Sequence, residues 1–119
     1  MITPDYVLMM ARYNSWQNSQ MAESMAALSA DDLAAERGAF FGSILKTASH
    51  LLWGDLIWMS RFDGGAAPVG GITESLTLCA DLAAWQALRG PTDKRIESWA
   101  AWLKVDDIAG DLRWYSGAS

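Results

Sequence analysis

His50 and Asp55 stand five residues apart in the apolar stretch TASHLLWGDLIW at 47–58, and His50 is the only histidine in this chain of 119 residues. Imidazole and carboxylate are the side chains that most often ligate metals or move protons near neutral pH. One imidazole does not make a metal centre. A catalytic zinc-like site takes about three protein ligands, so acidic side chains or another chain would have to complete it. No HExxH, CxxC, GxSxG or phosphate-cradling glycine loop accompanies the histidine. Cys79 has no second histidine to activate it and reads as a small buried hydrophobe.

On a helical wheel turning ~100° per residue, Asp55 falls in the middle of a face made by Phe41, Ile44, Ala48, Leu51, Leu52, Met59 and Phe62. His50 lies roughly 140° away, on a strip with Ser43, Thr47, Gly54 and Arg61, where small or polar side chains leave room. The histidine is expected at a groove edge, either as a satisfied, partly exposed side chain or as a ligand. The aspartate is expected to point into a core, where a carboxylate is costly unless paired. Tyr13, Asn14 and Arg95 are its candidate partners, and the pairing would serve either helix register or general acid and base work. Asn14 and Gln17, amides inside an apolar stripe, would satisfy Asp55 or line a polar pocket.

The elements that must position these side chains are helical. Thr3 as cap, Pro4 at the first position and Asp5 at the positive end of the dipole predict a helix over 3–28. Its apolar face carries Tyr6, Met10, Tyr13, Met21, Met25 and Leu28. Ser29 caps a short turn that ends at Gly38, and a second long helix is expected from about residue 41 to Phe62. Glycines and Pro68 make 64–71 a loop, after which Thr73 caps a third helix. Gly90-Pro91 should kink that helix rather than end it, because Leu78, Leu82 and Trp85 before the pair and Ile96 and Leu103 after it share ~60° of one wheel. The helix is expected to reach about residue 104. Leu112 and Trp114 alternate with Arg113 and Tyr115, which predicts a stub of strand at the C-terminus. The fold class is therefore all-α, a bundle of three long antiparallel helices in one domain over 1–119.

A chain of this length can bury one core without staples. Seven tryptophans and six methionines read as filling for that core. The net charge of −5, with nine scattered Lys and Arg, argues against nucleic acid or anionic lipid as partners. Asp55 and Arg61 interrupt the greasiest segment, so nothing approaches the ~20 apolar residues of a membrane span. A single cysteine and the lack of a secretory leader point to the cytoplasm.

Three stretches together carry a family likeness: ARYNSWQN at 11–18, GAFFGSILKTASHLLWGDLIWMSRF at 38–62 and DKRIESWAAWL at 93–103. In this order they resemble the DinB/YfiT-like family of bacterial proteins, and the middle stretch is the specific one. The resemblance implies a four-helix bundle with one long crossover connection, often dimeric, holding a divalent metal such as nickel, zinc or iron on three histidines. His50 matches the first ligand. The other two belong to an HxxxH pair on a fourth helix, where a spacing of four puts both imidazoles on one face. Residues 1–119 contain no counterpart of that helix, so the domain is expected to be incomplete at its C-terminus. The resemblance further implies a transferase or isomerase that uses a small-molecule thiol. The alternative is a metal-free, non-enzymatic interaction module. In both cases a groove left by the absent helix predicts a homodimer or higher self-association.

Overall fold

The computed structural model describes residues 2–109, in the order α1 (Pro4–Ala26), α2 (Ala30–Ala34), α3 (Ile44–Asp63), α4 (Ile72–Ser75), α5 (Leu82–Ala101) and α6 (Val105–Ala109). The fold is all-α, and the only strand-like pairing among the described residues is an isolated bridge between Ala39 and Gly42. The strand expected at 112–115 lies outside the described residues. None of the described helices is long and apolar enough to cross a membrane.

The first two long helices begin and end where their caps dictate. Thr3 Oγ1 accepts from the Tyr6 amide at 3.1 Å, and Pro4 occupies the first turn of α1, where its missing N–H costs nothing. Ser43 Oγ accepts from the Lys46 amide at 3.1 Å to open α3. Gly64 closes it in the left-handed conformation at φ 71°. The third helix departs from expectation. Thr73 lies inside the one-turn α4, and residues 76–81 leave the helical path to tuck Leu78 and Cys79 against the core. Asp81 is the true cap, its Oδ1 accepting from the Ala84 amide at 2.8 Å. From there α5 passes through Gly90-Pro91 without interruption, and beside the proline Thr92 Oγ1 donates to the Leu88 carbonyl at 2.7 Å.

The helix directions also differ from the expected antiparallel set. Met25 shares a core cluster with Trp85, and Asn18 bonds Asp93, so α1 and α5 run in opposite senses. Contacts between α3 and α5 instead ascend together: Trp85 with Ala48, Arg89 with Asp55, Arg95 with Asp63. These two helices are parallel. The chain must therefore return along the whole of α3, a rise of about 30 Å, and residues 64–81 have the reach to do so. Arg95 fixes the start of that return. Its Nε and Nη2 bond both oxygens of Asp63 at 2.7 Å, and its Nη1 donates to the Ala66 carbonyl at 3.1 Å. This bidentate guanidinium holds the Asp63 carboxyl below its ordinary value.

The core lies where α1, α2, α3, the 76–81 segment and α5 converge, on Met25, Leu33, Ala48, Leu52, Cys79 and Trp85. Trp85 is only 1% exposed, and its indole N–H donates to the Ala48 carbonyl at 3.1 Å, so the largest buried ring keeps its polar atom satisfied. The continuity of α5 has a direct test. A methyl group at Gly90 would meet nothing within 4 Å. Gly90→Ala is expected to raise stability by about 0.5–1 kcal/mol in urea denaturation, and a loss of stability would mean that the helix is interrupted there.

Candidate functional site

His50 sits on α3 beneath α4. Its Nδ1 lies 2.8 Å from Ser75 Oγ, bridging the long helix to the single turn of the crossover. The imidazole stacks on Phe41, with centroids 4.1 Å apart and planes inclined by 29°, and more distantly on Trp53 at 6.0 Å. Two aromatic neighbours and one hydroxyl thus fix the ring in position and tilt. Nε2 is bonded to none of the described residues. It is also absent from their buried polar atoms without a partner, which are Ser15 Oγ and Trp53 Nε1.

Asp55 faces the other way, toward α5, and its partner is a residue outside the expected set. Arg89 Nη2 meets Asp55 Oδ2 at 2.5 Å and Asp93 Oδ1 at 2.7 Å, while Arg89 Nε donates to Asp93 Oδ1 at 2.9 Å. Asn18 Nδ2 donates to the same Asp93 oxygen at 3.0 Å. Arg89 and Asp93 are 4% and 8% exposed, whereas the Asp55 side chain retains 35% of its exposure. Asp55 is therefore less buried than its apolar surroundings on the wheel implied. Arg95, a candidate partner, belongs to Asp63. Burial pushes the Asp93 carboxyl up, and the Arg89 guanidinium and Asn18 amide work against that shift.

Asp55 and Arg89 form one wall of an open cleft of about 580 Å³ whose other side is α1, with Asn14, Gln17 and Asn18 facing it. The amides of α1 therefore line a polar pocket rather than satisfy Asp55, and Gln17 Nε2 donates to the Tyr13 hydroxyl at 3.1 Å. A second cleft, of about 820 Å³, lies between the ends of α3 and α5 and is walled by Phe62, Trp99 and Trp102. His50 lines neither of them. Cys79 is buried in the core, and desolvation raises its thiol, which disfavours the thiolate a nucleophile requires.

The profile of the DinB family matches residues 1–103. This chain belongs to the DinB family. No curated protein and no solved structure matches it. The crossover between parallel α3 and α5 is the long connection expected of a DinB-type bundle. Among the described residues no group of three or more His, Cys, Asp or Glu could hold a metal ion. One nitrogen of His50 is engaged by Ser75 and the other has no partner among the described residues, and a three-histidine set would need two imidazoles from outside residues 1–119.

Two residues that partner Asp55 and His50 escaped the sequence reading. Arg89 had a signal, since Trp85, Arg89 and Asp93 follow at spacings of four and place a cation on the buried face of α5. Ser75 had none, because a small polar side chain just inside the helix expected after Thr73 marks no apolar face. The burial order within the Arg89 cluster makes a prediction. Asp93→Ala, which leaves a buried guanidinium short of its main counter-charge, is expected to cost about 3–5 kcal/mol. Asp55→Ala should cost clearly less, because water can replace its carboxylate. Equal losses in chemical denaturation would refute this division.

Proposed function

We propose that this DinB chain contributes His50, through Nε2, to a divalent-metal site for nickel, zinc or iron, and that the site serves a transferase or isomerase using a low-molecular-weight thiol. The observation that carries the reading is the engagement of Nδ1 by Ser75 while Nε2 has no partner among the described residues, the arrangement common to metal-ligating histidines. The metal, when bound, would deprotonate a coordinated thiol at neutral pH. The chain's own residues do something simpler. Phe41 and Trp53 hold the imidazole plane, and Ser75 holds one ring edge. A three-histidine site would take its other two ligands from outside residues 1–119. A lone buried cysteine and a reduced thiol as co-substrate fit a cytoplasmic setting.

The test is elemental analysis of protein made from its native gene and purified without a histidine tag. Nickel, zinc or iron near one per chain is expected, lost in His50→Ala and kept in Asp55→Asn, which should only melt lower. Metal-free wild-type protein, or metal retained by His50→Ala, overturns the reading.

A second reading, a self-associating helical module, is favoured by the apolar side chains left exposed on α1 (Tyr6, Met9, Met10, Tyr13 and Trp16) and on α3 (Leu51, Trp58 and Phe62). Two copies related by a two-fold axis would cover such rows with each other. Light scattering at micromolar concentration is expected to give a dimer or larger species, and a clean monomer refutes it.

A further inference from the structure

We propose that Ser75 is a positioning residue that locks His50 in the tautomer with hydrogen on Nδ1 and the lone pair on Nε2. The inference rests on the geometry of one hydroxyl. Ser75 Oγ has two partners, His50 Nδ1 at 2.8 Å and the carbonyl oxygen of Ile72 in its own turn. A carbonyl oxygen can only accept. The serine proton therefore goes to Ile72, and what Ser75 turns toward the imidazole is a lone pair. For that contact to be a hydrogen bond, Nδ1 must carry the hydrogen. Since a neutral imidazole has a single N–H, Nε2 is then bare. The opposite arrangement would set the Ile72 oxygen against the serine oxygen with no proton between them.

The same geometry excludes Ser75 as a nucleophile. It is 0% exposed and its proton is committed to a backbone carbonyl. The crossover segment is built to deliver this hydroxyl. The Gly71 amide donates to Glu74 Oε2 at 3.0 Å, and the Ser75 amide donates to the Gly71 carbonyl at 3.1 Å, which together close the turn of α4. Gly70 lies in the left-handed region at φ +86°, and a Cβ there would come within 2.7 Å of the Glu74 side chain. The GGITES sequence at 70–75 is thus part of the His50 site, although in sequence Gly70 and Gly71 read as the end of a loop and Thr73 as the cap of the next helix.

The inference deepens the reading of His50 as a ligand through Nε2, but it can be tested on metal-free protein. Because the chain has one histidine, nitrogen-15 spectra of the imidazole contain a single pair of ring signals. At a pH where the ring is neutral, wild-type protein is expected to show Nδ1 as the protonated nitrogen and Nε2 as the bare one, the reverse of the tautomer that free histidine favours in water. Ser75→Ala should revert toward the Nε2–H form, and Ser75→Thr, which keeps the hydroxyl, should preserve the wild-type pattern. Wild-type protein with hydrogen on Nε2 overturns the proposal whether or not the variants fold. So does a folded Ser75→Ala that keeps hydrogen on Nδ1. Where His50 binds metal, Ser75→Ala should also weaken the affinity about 10–100-fold. Failure of metal binding alone would count against the proposed function and leave the tautomer result standing.

Discussion

A buried guanidinium cannot be left uncompensated, and the arrangement of the three long helices follows from satisfying Arg89. Its charge sits on α5 at 4% exposure, with carboxylates from α5 itself and from α3, and with Asn18 of α1 completing the shell of Asp93. One point of the fold thus specifies three helices at once. Apolar packing alone would let α1, α3 and α5 slide along one another by a turn at modest cost, because Met, Leu and Ala surfaces are interchangeable. A sliding step at this centre would strand a charge, which costs several kcal/mol. The polar cluster therefore contributes less to net stability than to the choice of register.

That register in turn imposes the crossover. With Asp55, Asp63 and Ala48 meeting Arg89, Arg95 and Trp85 in ascending order, α5 must begin beside the beginning of α3, and the chain has to travel back before it can start. A connection of this kind would ordinarily leave polar backbone and apolar side chains adrift. Here it is tied at three places: to Arg95 at Asp63 and Ala66, to His50 at Ser75, and to the core at Leu78 and Cys79. The middle tie is the one that reaches His50.

Local signals were legible in the sequence and non-local ones were not. Thr3 and Pro4 opened α1 where they should, because a cap acts within three residues and needs no knowledge of the rest of the fold, whereas Ser43, the cap of α3, was placed inside a helix expected from about residue 41. The third helix was read eight residues too long at its start, since Thr73 and Asp81 are both plausible caps. Only the need to bury Leu78 and Cys79 in the core decides for Asp81. Helix direction was misread for a similar reason, as periodicity says which face is apolar but not which way a neighbour runs. The partner of Asp55 was sought at Tyr13 and Asn14 on α1 and at Arg95 on α5, and the structure supplies Arg89 of α5. Six residues of helix set Arg95 and Arg89 about 120° apart on α5, and the choice depends on the depth at which α3 packs.

The histidine and the aspartate of TASHLLWGDLIW are separated by the geometry of α3 itself. Five residues of helix turn Asp55 toward α5 and the Arg89 cluster, and His50 toward α4 and Ser75. Neither shares a partner with the other, so the side that sets register and the side that presents an open nitrogen can be tuned separately, with energetic effects expected to add. This separation also explains why the histidine lies outside the polar cleft between α1 and α3. A bare imidazole nitrogen beside Arg89, Asp55 and the α1 amides would be drawn into the structural network. On the opposite face its one hydrogen-bond partner among the described residues is the Ser75 hydroxyl, which itself donates to the Ile72 carbonyl.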